Sequence, residues 1–353
     1  MEKFFENIAT KILQRIEPEL AHDIALKSLK SGLYFRQNYF SSTRLQTTLA
    51  GLELSNPIGL AAGFDKNAEV IGPLSKFGFG FIEVGAVTPL PQKGNPKPRI
   101  FRIKEENAIL NHLGFNNQGM KKINRRLKTR NKKNLVGLNL GANKNSDNKL
   151  KDFSTVLAYC GDNIDFATIN LSSPNTKNLR DLQKDLPLNF ILKDVNRTNL
   201  SLKNPIPIFL KISPELKEKE LEGIVDIGLR NNISGIIATN TSTNLGNISK
   251  KYSNIPGGLS GPPVFDLSTR VLSQLSVISA GKIPLIGVGG VSNAKQAFIK
   301  ITAGASAIQL YTALAFKGPG LVMQILKDLD LILKCHGFDN ISQAVGVYKD
   351  RFF

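Results

Sequence analysis

Cysteine and histidine are scarce in this sequence, acidic residues are outnumbered, and long apolar runs are missing. Of 353 residues, two are cysteine (Cys160 and Cys335) and three are histidine (His22, His112 and His336). The cysteines have no metal-ligand spacing and supply no disulfide framework, so a reducing compartment fits. Three scattered histidines argue against a histidine-based metal site, and no metal is expected. No run of about 18 apolar residues occurs, which argues against a bilayer-spanning helix. The N-terminus lacks the unbroken apolar core of a secretory signal. No G-x-G-x-x-G follows the first apolar run, so a dinucleotide site there is unsupported.

Base is abundant. Lys and Arg number 46 against 28 Asp and Glu, a net charge of +18. Eight of those bases crowd the stretch from Lys121 to Lys133 with no acid among them. Such a stretch reads either as a solvated helix face or as a surface for an anionic partner, nucleic acid or acidic lipid. No aromatic residues are interleaved, as a single-strand binder would want. The hydrophobic fraction of 41% and charged fraction of 21% fit a soluble globular protein. The length suits one large α/β barrel with an accessory piece, or two ordinary domains.

Eight short β-branched or apolar runs stand out: Pro57–Ala62, Phe79–Val84, Leu135–Leu140, Asp165–Leu171, Ile206–Ile212, Ser234–Thr239, Ile283–Val288 and Ala305–Leu310. Most lack period-2 alternation, as expected of parallel strands buried on both faces. Most intervals between them can hold a helix. The pattern predicts a (β/α)8 TIM barrel with its site at the C-terminal strand ends, and leaves a doubly wound sheet open as the alternative. Two stretches exceed a minimal barrel. The interval from Gly85 to Asn134 opens with proline-rich segments that cannot be helical, and it predicts a small hairpin or lid. Residues 1–40 predict a two-helix extension, leaving 41–353 as the barrel domain. In the first helix Phe4, Phe5, Ile8, Ala9, Ile12, Leu13 and Ile16 recur at helical spacing, with Lys3, Lys11 and Arg15 off the stripe. Pro18 suits the first turn of the second helix, Leu20, Ala21, Ile24, Ala25 and Leu29 its apolar face, and Gly32 its C-cap. The pair packs on the barrel or turns an apolar groove to lipid; periodicity leaves both open.

Small, hydroxyl and amide residues recur after nearly every predicted strand. The first is followed by Ala61-Ala62-Gly63-Phe64-Asp65-Lys66-Asn67, where small residues admit a flat ring and Lys66 can meet an anion. The second is followed by Gly85-Ala86-Val87-Thr88-Pro89, and the insertion carries Asn111-His112-Leu113-Gly114-Phe115-Asn116-Asn117. Those amides suit an imide or amide ring, and His112 reads equally as structural or functional. The third ends near Asn139. The fourth runs into Asn170-Leu171-Ser172-Ser173-Pro174-Asn175-Thr176, two amides and three hydroxyls in one turn, which would otherwise serve as a cap. Lys211 sits among apolar residues of the fifth and needs an anionic partner if buried. Thr239-Asn240-Thr241 ends the sixth. A glycine-rich loop, Gly257–Gly261, follows, then Gly289-Gly290 after the seventh and Tyr311-Thr312 after the eighth. Backbone N–H groups there match the usual barrel phosphate site, or else mark ordinary turns.

Five of these segments, in this order, resemble the dihydroorotate dehydrogenase family: Gly63-Phe64-Asp65-Lys66, Val87-Thr88-Pro89, Asn111–Asn116, Asn170–Thr176 and Gly257–Gly261. The resemblance runs from about Leu13 onward. Serine at position 173 and the N-terminal extension point to the quinone-dependent class 2 branch. The resemblance implies oxidation of dihydroorotate to orotate in pyrimidine synthesis, with FMN as hydride acceptor and a membrane quinone as final acceptor. Ser173 is implied as the base that takes a proton from C5 while C6 gives hydride to flavin N5. FMN is implied around Ala62, Gly63, Lys66, Ala86, Asn139, Asn170, Lys211, Thr239, Gly261, Gly290, Tyr311 and Thr312. The substrate is implied at Lys66, Asn111, His112, Leu113, Gly114, Phe115, Asn170, Asn175, Asn240 and Thr241. His22 and Arg102 match positions lining the family's quinone tunnel. Ala86 departs from the Thr or Ser that the family often has; with no hydroxyl there for a side-chain hydrogen bond to the flavin, backbone contacts are expected to compensate. A monomer, peripheral to an anionic membrane on the cytoplasmic face of the inner membrane, and without nucleic acid, is expected. The alternatives are a class 1 enzyme with a cysteine base, a flavin barrel acting on uracil in RNA, and a nucleic-acid-binding protein.

Overall fold

A computed structural model describes residues 2–34, 39–176, 179–246, 248 and 252–352, with side chains from residue 6 onward. Two helices lead: α1 (Glu2–Leu13) and α2 (Pro18–Lys30). A hairpin of β1 (Thr47–Leu49) and β2 (Leu52–Leu54) follows, then β3 (Ile58–Leu60), α3 (Ile71–Ser75) and β4 (Phe81–Val87). The insertion folds as β5 (Ile100–Ile103), β6 (Ala108–Asn111) and α4 (Met120–Lys128). Regular alternation then resumes with β7 (Val136–Leu140), α5 (Lys149–Cys160), β8 (Phe166–Asn170), α6 (Asp185–Leu200), β9 (Ile208–Ile212), α7 (Glu218–Arg230) and β10 (Gly235–Ala238). The chain ends through β11 (Gly258–Ser260), α8 (Phe265–Ile278), β12 (Leu285–Val288), α9 (Ala294–Thr302), β13 (Ala307–Leu310), α10 (Thr312–Lys317) and α11 (Leu321–Cys335).

Among the described residues, eight parallel strands close a barrel in the order β3-β4-β7-β8-β9-β10-β12-β13, with β13 back on β3. Each lies inside one of the eight apolar runs, apart from β4, which continues to Val87. Burial on both faces explains the unbroken apolar runs, because helices cover the outside and side chains fill the inside. Phe81 and Phe166, first residues of their strands, meet edge to face at 6.0 Å between centroids, and Phe166 meets Phe209 at 5.6 Å. The β1–β2 hairpin, turned at Ala50 and Gly51, adds Leu49 and Leu54 to that cluster. One end of the barrel is thereby plugged with apolar side chains, leaving the other for chemistry.

At that other end the ladder between β4 and β7 slips between Gly85 and Val87. A bulge at a barrel rim re-aims side chains, and Ala86 lines the cavity described below. The hairpin expected in the insertion is β5–β6. The glycine-rich stretch expected as a loop becomes β11, whose Gly258, Leu259 and Ser260 pair with Asn111, Leu110 and Ile109. The edge of β6 offers unpaired backbone groups that need partners. Glycine is required at 258, since a Cβ there would lie 2.0 Å from Thr241 Oγ1. The three strands bury Ile103, Ala108, Leu110 and Leu259 in a small core of their own.

The extension docks by apolar contacts, with Leu29 in the main core, and by polar ones. Gln14 Nε2 donates to Phe316 O at 2.8 Å, and Gly320 N–H to Glu6 Oε1 at 2.7 Å. The α2 start is as the sequence suggested, with Pro18 at its first position. Ser31 occupies the C-cap, and Gly32 follows at φ +79°. Ile16, expected on the α1 stripe, lies beyond the helix end; the side chains of Lys3, Phe4 and Phe5 fall outside the described residues. The expected apolar face of α2 is divided. Ala21 and Leu29 are buried, whereas Leu20 and Ile24 are exposed, as are Ile8, Ile12 and Leu33.

Candidate active site

One cavity of about 610 Å³ runs from the C-terminal strand ends of the barrel to the space between α1 and α2. All residues singled out from the sequence as site residues line it except His112. His112 acts one step back. Its Nδ1 lies 3.3 Å from Asn175 Oδ1, so the ring orients that amide without lining the cavity.

A chain of buried polar side chains crosses the strand ends. Glu83 of β4, fully buried, accepts from Asn139 Nδ2 at 2.6 Å and from Gln309 Nε2 at 2.5 Å. Asn170 Nδ2 donates to Asn139 Oδ1 at 2.8 Å, and Asn240 Nδ2 to Asn170 Oδ1 at 3.1 Å. Asn240 Nδ2 also reaches Ser172 Oγ at 3.0 Å, and Ser172 Oγ donates to Lys211 O at 2.7 Å. Lys211 pairs with Asn170 across β9 and β8. Burial pushes the Lys211 ammonium down from its ordinary pKa, and the Glu83 carboxylate opposes that shift. Glu83 thus supplies the anionic partner that a buried lysine needs. Sequence reasoning passed over Glu83 and gave Gln309, at the end of the eighth run, no role. The available signal was a lone carboxylate in Phe81–Val87 and a lone amide in Ala307–Leu310, both in otherwise apolar strands.

The turn after β8 carries Ser173, buried, whose Oγ accepts the Asn175 N–H at 3.3 Å. Asn175 Nδ2 donates to Asn111 Oδ1 at 2.9 Å, and Asn111 Nδ2 to Gly258 O at 3.2 Å. Arg180, also missed, holds two strand-end loops together. Its Nε donates to Ser172 O and its Nη2 to Thr241 O, both at 3.1 Å, while Nη1 meets Glu215 at 3.0 Å. Across the cavity, Asp65 accepts the N–H groups of Asn67, Glu69 and Val70 at 3.3, 2.8 and 2.8 Å. That Asx-type turn presents Lys66 to the cavity. Burial pushes the Lys66 ammonium down to a pKa of about 8; Glu19, Asp23 and Asp65 favour its charge and Arg99 opposes it.

At the β12 and β13 ends, the cavity wall is backbone at Gly289 and Gly290 with Tyr311 and Thr312 beside it. Thr312 Oγ1 donates to Ser260 Oγ at 2.9 Å. Ala86 presents only a methyl group, as its sequence requires. Toward α1 and α2 the wall turns apolar around His22 and Arg102. The His22 ring packs on Phe64 (centroids 5.2 Å) and near Tyr311 (6.5 Å). Burial, reinforced by Lys66, pushes its pKa down to about 3, so it is neutral near pH 7. Its Nε2 is buried without a hydrogen-bond partner among the described residues, as is Arg102 Nε. Arg102 Nη1 donates to Gln14 O at 2.8 Å and to Ile16 O at 3.1 Å, tying the insertion to the extension.

Known proteins match the chain over nearly its whole length. The family model described as dihydroorotate dehydrogenase matches residues 44–333. A dihydroorotate dehydrogenase (quinone) of Cereibacter sphaeroides is 48% identical over 342 residues, covering 97% of each chain. The mitochondrial dihydroorotate dehydrogenase (quinone) of Mus musculus is 39% identical over 358 residues, covering 98% of this chain and 91% of that one. The crystal structure of the Eimeria tenella dihydroorotate dehydrogenase with ferulenol superposes with a TM-score of 0.90 at 34% identity, covering 94% of this chain and 95% of that one. With the motifs lining one cavity and the match running almost end to end, the chain belongs to the dihydroorotate dehydrogenase family.

Proposed function

We propose that this protein oxidises dihydroorotate to orotate in pyrimidine synthesis, with FMN as its cofactor and a membrane quinone as final acceptor. The observation that carries the reading is the single cavity linking the Ser173 and Lys211 end to the apolar His22 and Arg102 end. A two-substrate enzyme of this kind needs a polar site for a small anion and an apolar route for a lipid-soluble acceptor.

The residues present fit FMN. The cavity lies within the usual range of about 300–1,000 Å³ for ligand sites. Gly290, at φ +76°, admits no side chain, because a Cβ would lie 2.9 Å from Phe265 N. Bare backbone at Gly261 and Gly290, with Tyr311 and Thr312, suits a phosphate. Ala62, Gly63 and Ala86 leave room for a flat ring system, and Asn139, Asn170, Lys211 and Thr239 supply its polar partners. When bound, FMN supplies the hydride acceptor.

The chain's own residues do the rest. Lys66 offers positive charge to the substrate carboxylate. Asn111, Asn175 and Asn240, with Asn170 and Thr241, offer both donors and acceptors to an imide ring. Leu113, Gly114 and Phe115 line the same cavity. Ser173 Oγ takes the C5 proton, and because a serine is protonated at neutral pH it must pass its own proton onward. Lys211 holds positive charge where negative charge arrives, an electrostatic role.

Residues 1–40 act as the quinone's entrance and the contact with the membrane. No helix among the described residues is long and apolar enough to cross a membrane, while α1 and α2 expose Ile8, Ile12, Leu20 and Ile24. The protein is then peripheral, held by apolar side chains and by the basic α4 surface against anionic lipid on the cytoplasmic face. Acceptor assays test the whole reading. Purified protein should carry flavin absorbance and form orotate with a ubiquinone analogue; reduction of fumarate or NAD in its place would overturn the quinone assignment.

A further inference from the structure

We propose that Glu19 of α2 and Arg99 of the insertion are positioning residues of the substrate site, so that the N-terminal extension completes the pocket for dihydroorotate. The inference rests on the substrate reading above and goes beyond the extension's part in quinone access.

Glu19 stands in the first turn of α2, yet its carboxylate is turned inward. It takes Arg99 two-handed, Oε1 to Nη2 at 2.7 Å and Oε2 to Nε at 3.1 Å. Both residues are buried, at 8% and 6% exposure. Arg99 Nη1 then donates to Lys93 O at 2.6 Å and Asn95 O at 2.9 Å, so the loop before β5 folds around the guanidinium. Asn95, itself buried, sends Nδ2 to His112 O at 3.1 Å and to Asn175 O at 3.2 Å. The backbone joins in: Asn95 N–H donates to Leu113 O at 3.0 Å and His112 N–H to Arg99 O at 2.7 Å. Three links of hydrogen bonds therefore run from α2 to Asn175, with Asn111 bonded to Asn175 in turn.

A buried ion pair is a weak source of stability, because desolvation offsets the attraction. A bidentate arginine with four of its five N–H donors engaged is, however, a strong source of geometry. Gly114 lies against Asn95, where a Cβ would come within 2.8 Å of the amide, so the loop has no slack. The pair also acts on Lys66 through space. Glu19 favours the Lys66 charge and Arg99 opposes it; Asp23 on α2 and Asp65 on the lysine's own turn favour it as well, and the nearby His22 is neutral.

The test uses full-length, flavin-loaded protein carrying Glu19→Gln or, separately, Arg99→Lys, which keeps the charge and loses the planar fork. With a water-soluble dye as acceptor, KM for dihydroorotate should rise about tenfold in each variant, the scale of one lost charged hydrogen bond. Flavin content and KM for a quinone analogue should hold, and kcat should fall less than kcat/KM. The alkaline limb of kcat/KM should move to lower pH in Glu19→Gln and stay in place in Arg99→Lys. Hydrogen exchange of residues 111–116 and 173–176 should quicken in both. Unchanged KM and unchanged exchange overturn the proposal, as does a loss of flavin or kcat with KM intact. Should the wild type fail to oxidise dihydroorotate, the functional reading falls, and the exchange result alone upholds or overturns the strut.

Discussion

The Ser173 hydroxyl accepts the N–H of Asn175 at 3.3 Å, so one oxygen lone pair is engaged by the turn that carries it. The contact fixes Oγ toward the cavity that Asn170, Asn240 and Lys211 also line. No histidine lies in the turn to take the serine's own proton, so that proton must leave through water or a neighbouring hydroxyl as the C5 proton arrives. Ser173→Ala should retain FMN and bind orotate, while turnover falls by about two to four orders of magnitude, the usual scale for a lost general base. Orotate formation with a ubiquinone analogue checks the rate, and the flavin spectrum checks occupancy. Near-normal turnover would remove Ser173 from the mechanism.

Lys66 sets an alkaline limit on substrate capture. Burial, which costs the charged form, pushes its ammonium down to a pKa of about 8. The charged form predominates below that pH and is lost as pH rises through it. Capture of a carboxylate substrate should therefore decline, and kcat/KM for dihydroorotate should fall above about pH 8. A bound carboxylate raises the lysine's pKa, so the corresponding limb in kcat should lie at higher pH. A pH series of initial rates separates the two. Coincident limbs would assign the titration to another group.

Lys211 and Glu83 form a charge-balanced base to the cavity, with Asn139 and Gln309 completing the carboxylate's hydrogen bonds. Lys211→Met removes the cation and leaves Glu83 bonded to two amides, which favours folding of the variant. Flavin reduction by dihydroorotate should slow by about 10²–10³-fold, the scale of one lost electrostatic stabiliser. Stopped-flow bleaching of the flavin absorbance reads this directly. Reduction at the wild-type rate would show that Lys211 serves structure alone.

The barrel was legible in the sequence because its strands are buried on both faces, which writes them as continuous apolar runs with polar residues crowded at one end. Elements whose identity depends on distant partners were not. The β1–β2 hairpin is only three residues on each side, too short for a pattern. Gly258–Ser260 reads as a loop until β6 supplies its ladder from the far side of the insertion. Of the residues expected at the site, His112 alone fails to line the cavity, because its backbone is held by Arg99 and its ring turns to Asn175. Glu83 and Gln309 could be noticed as polar residues in apolar strands, but their shared task emerges only when β4, β7 and β13 stand in one closed barrel. The Glu19–Arg99 pair carries no local signal, since each residue looks like ordinary surface charge.

The helix pair makes a prediction about membranes that separates apolar contact from charge. Ile8, Ile12, Leu20 and Ile24 are exposed on α1 and α2, and each isoleucine or leucine placed in an apolar environment contributes up to about 1.5–3 kcal/mol. The basic helix α4 is tied to α2 through one carboxylate: Glu69 meets Lys30 at 3.0 Å and Arg126 at 3.2 Å. Apolar and cationic surfaces are thus joined by a shared anchor. In vesicle flotation, full-length protein should rise with vesicles containing anionic lipid, and a chain lacking residues 1–40 should rise far less. Replacing the four exposed residues by serine should weaken flotation at every salt concentration. Raising salt should weaken the wild type only in part, because screening removes the ionic share and leaves the apolar one. Quinone turnover should fall with flotation, while turnover of the serine variant with a soluble dye should persist. Equal flotation of the full-length and shortened chains would sink the helical-anchor reading, and complete release of the wild type by salt would assign the contact to the basic surface instead.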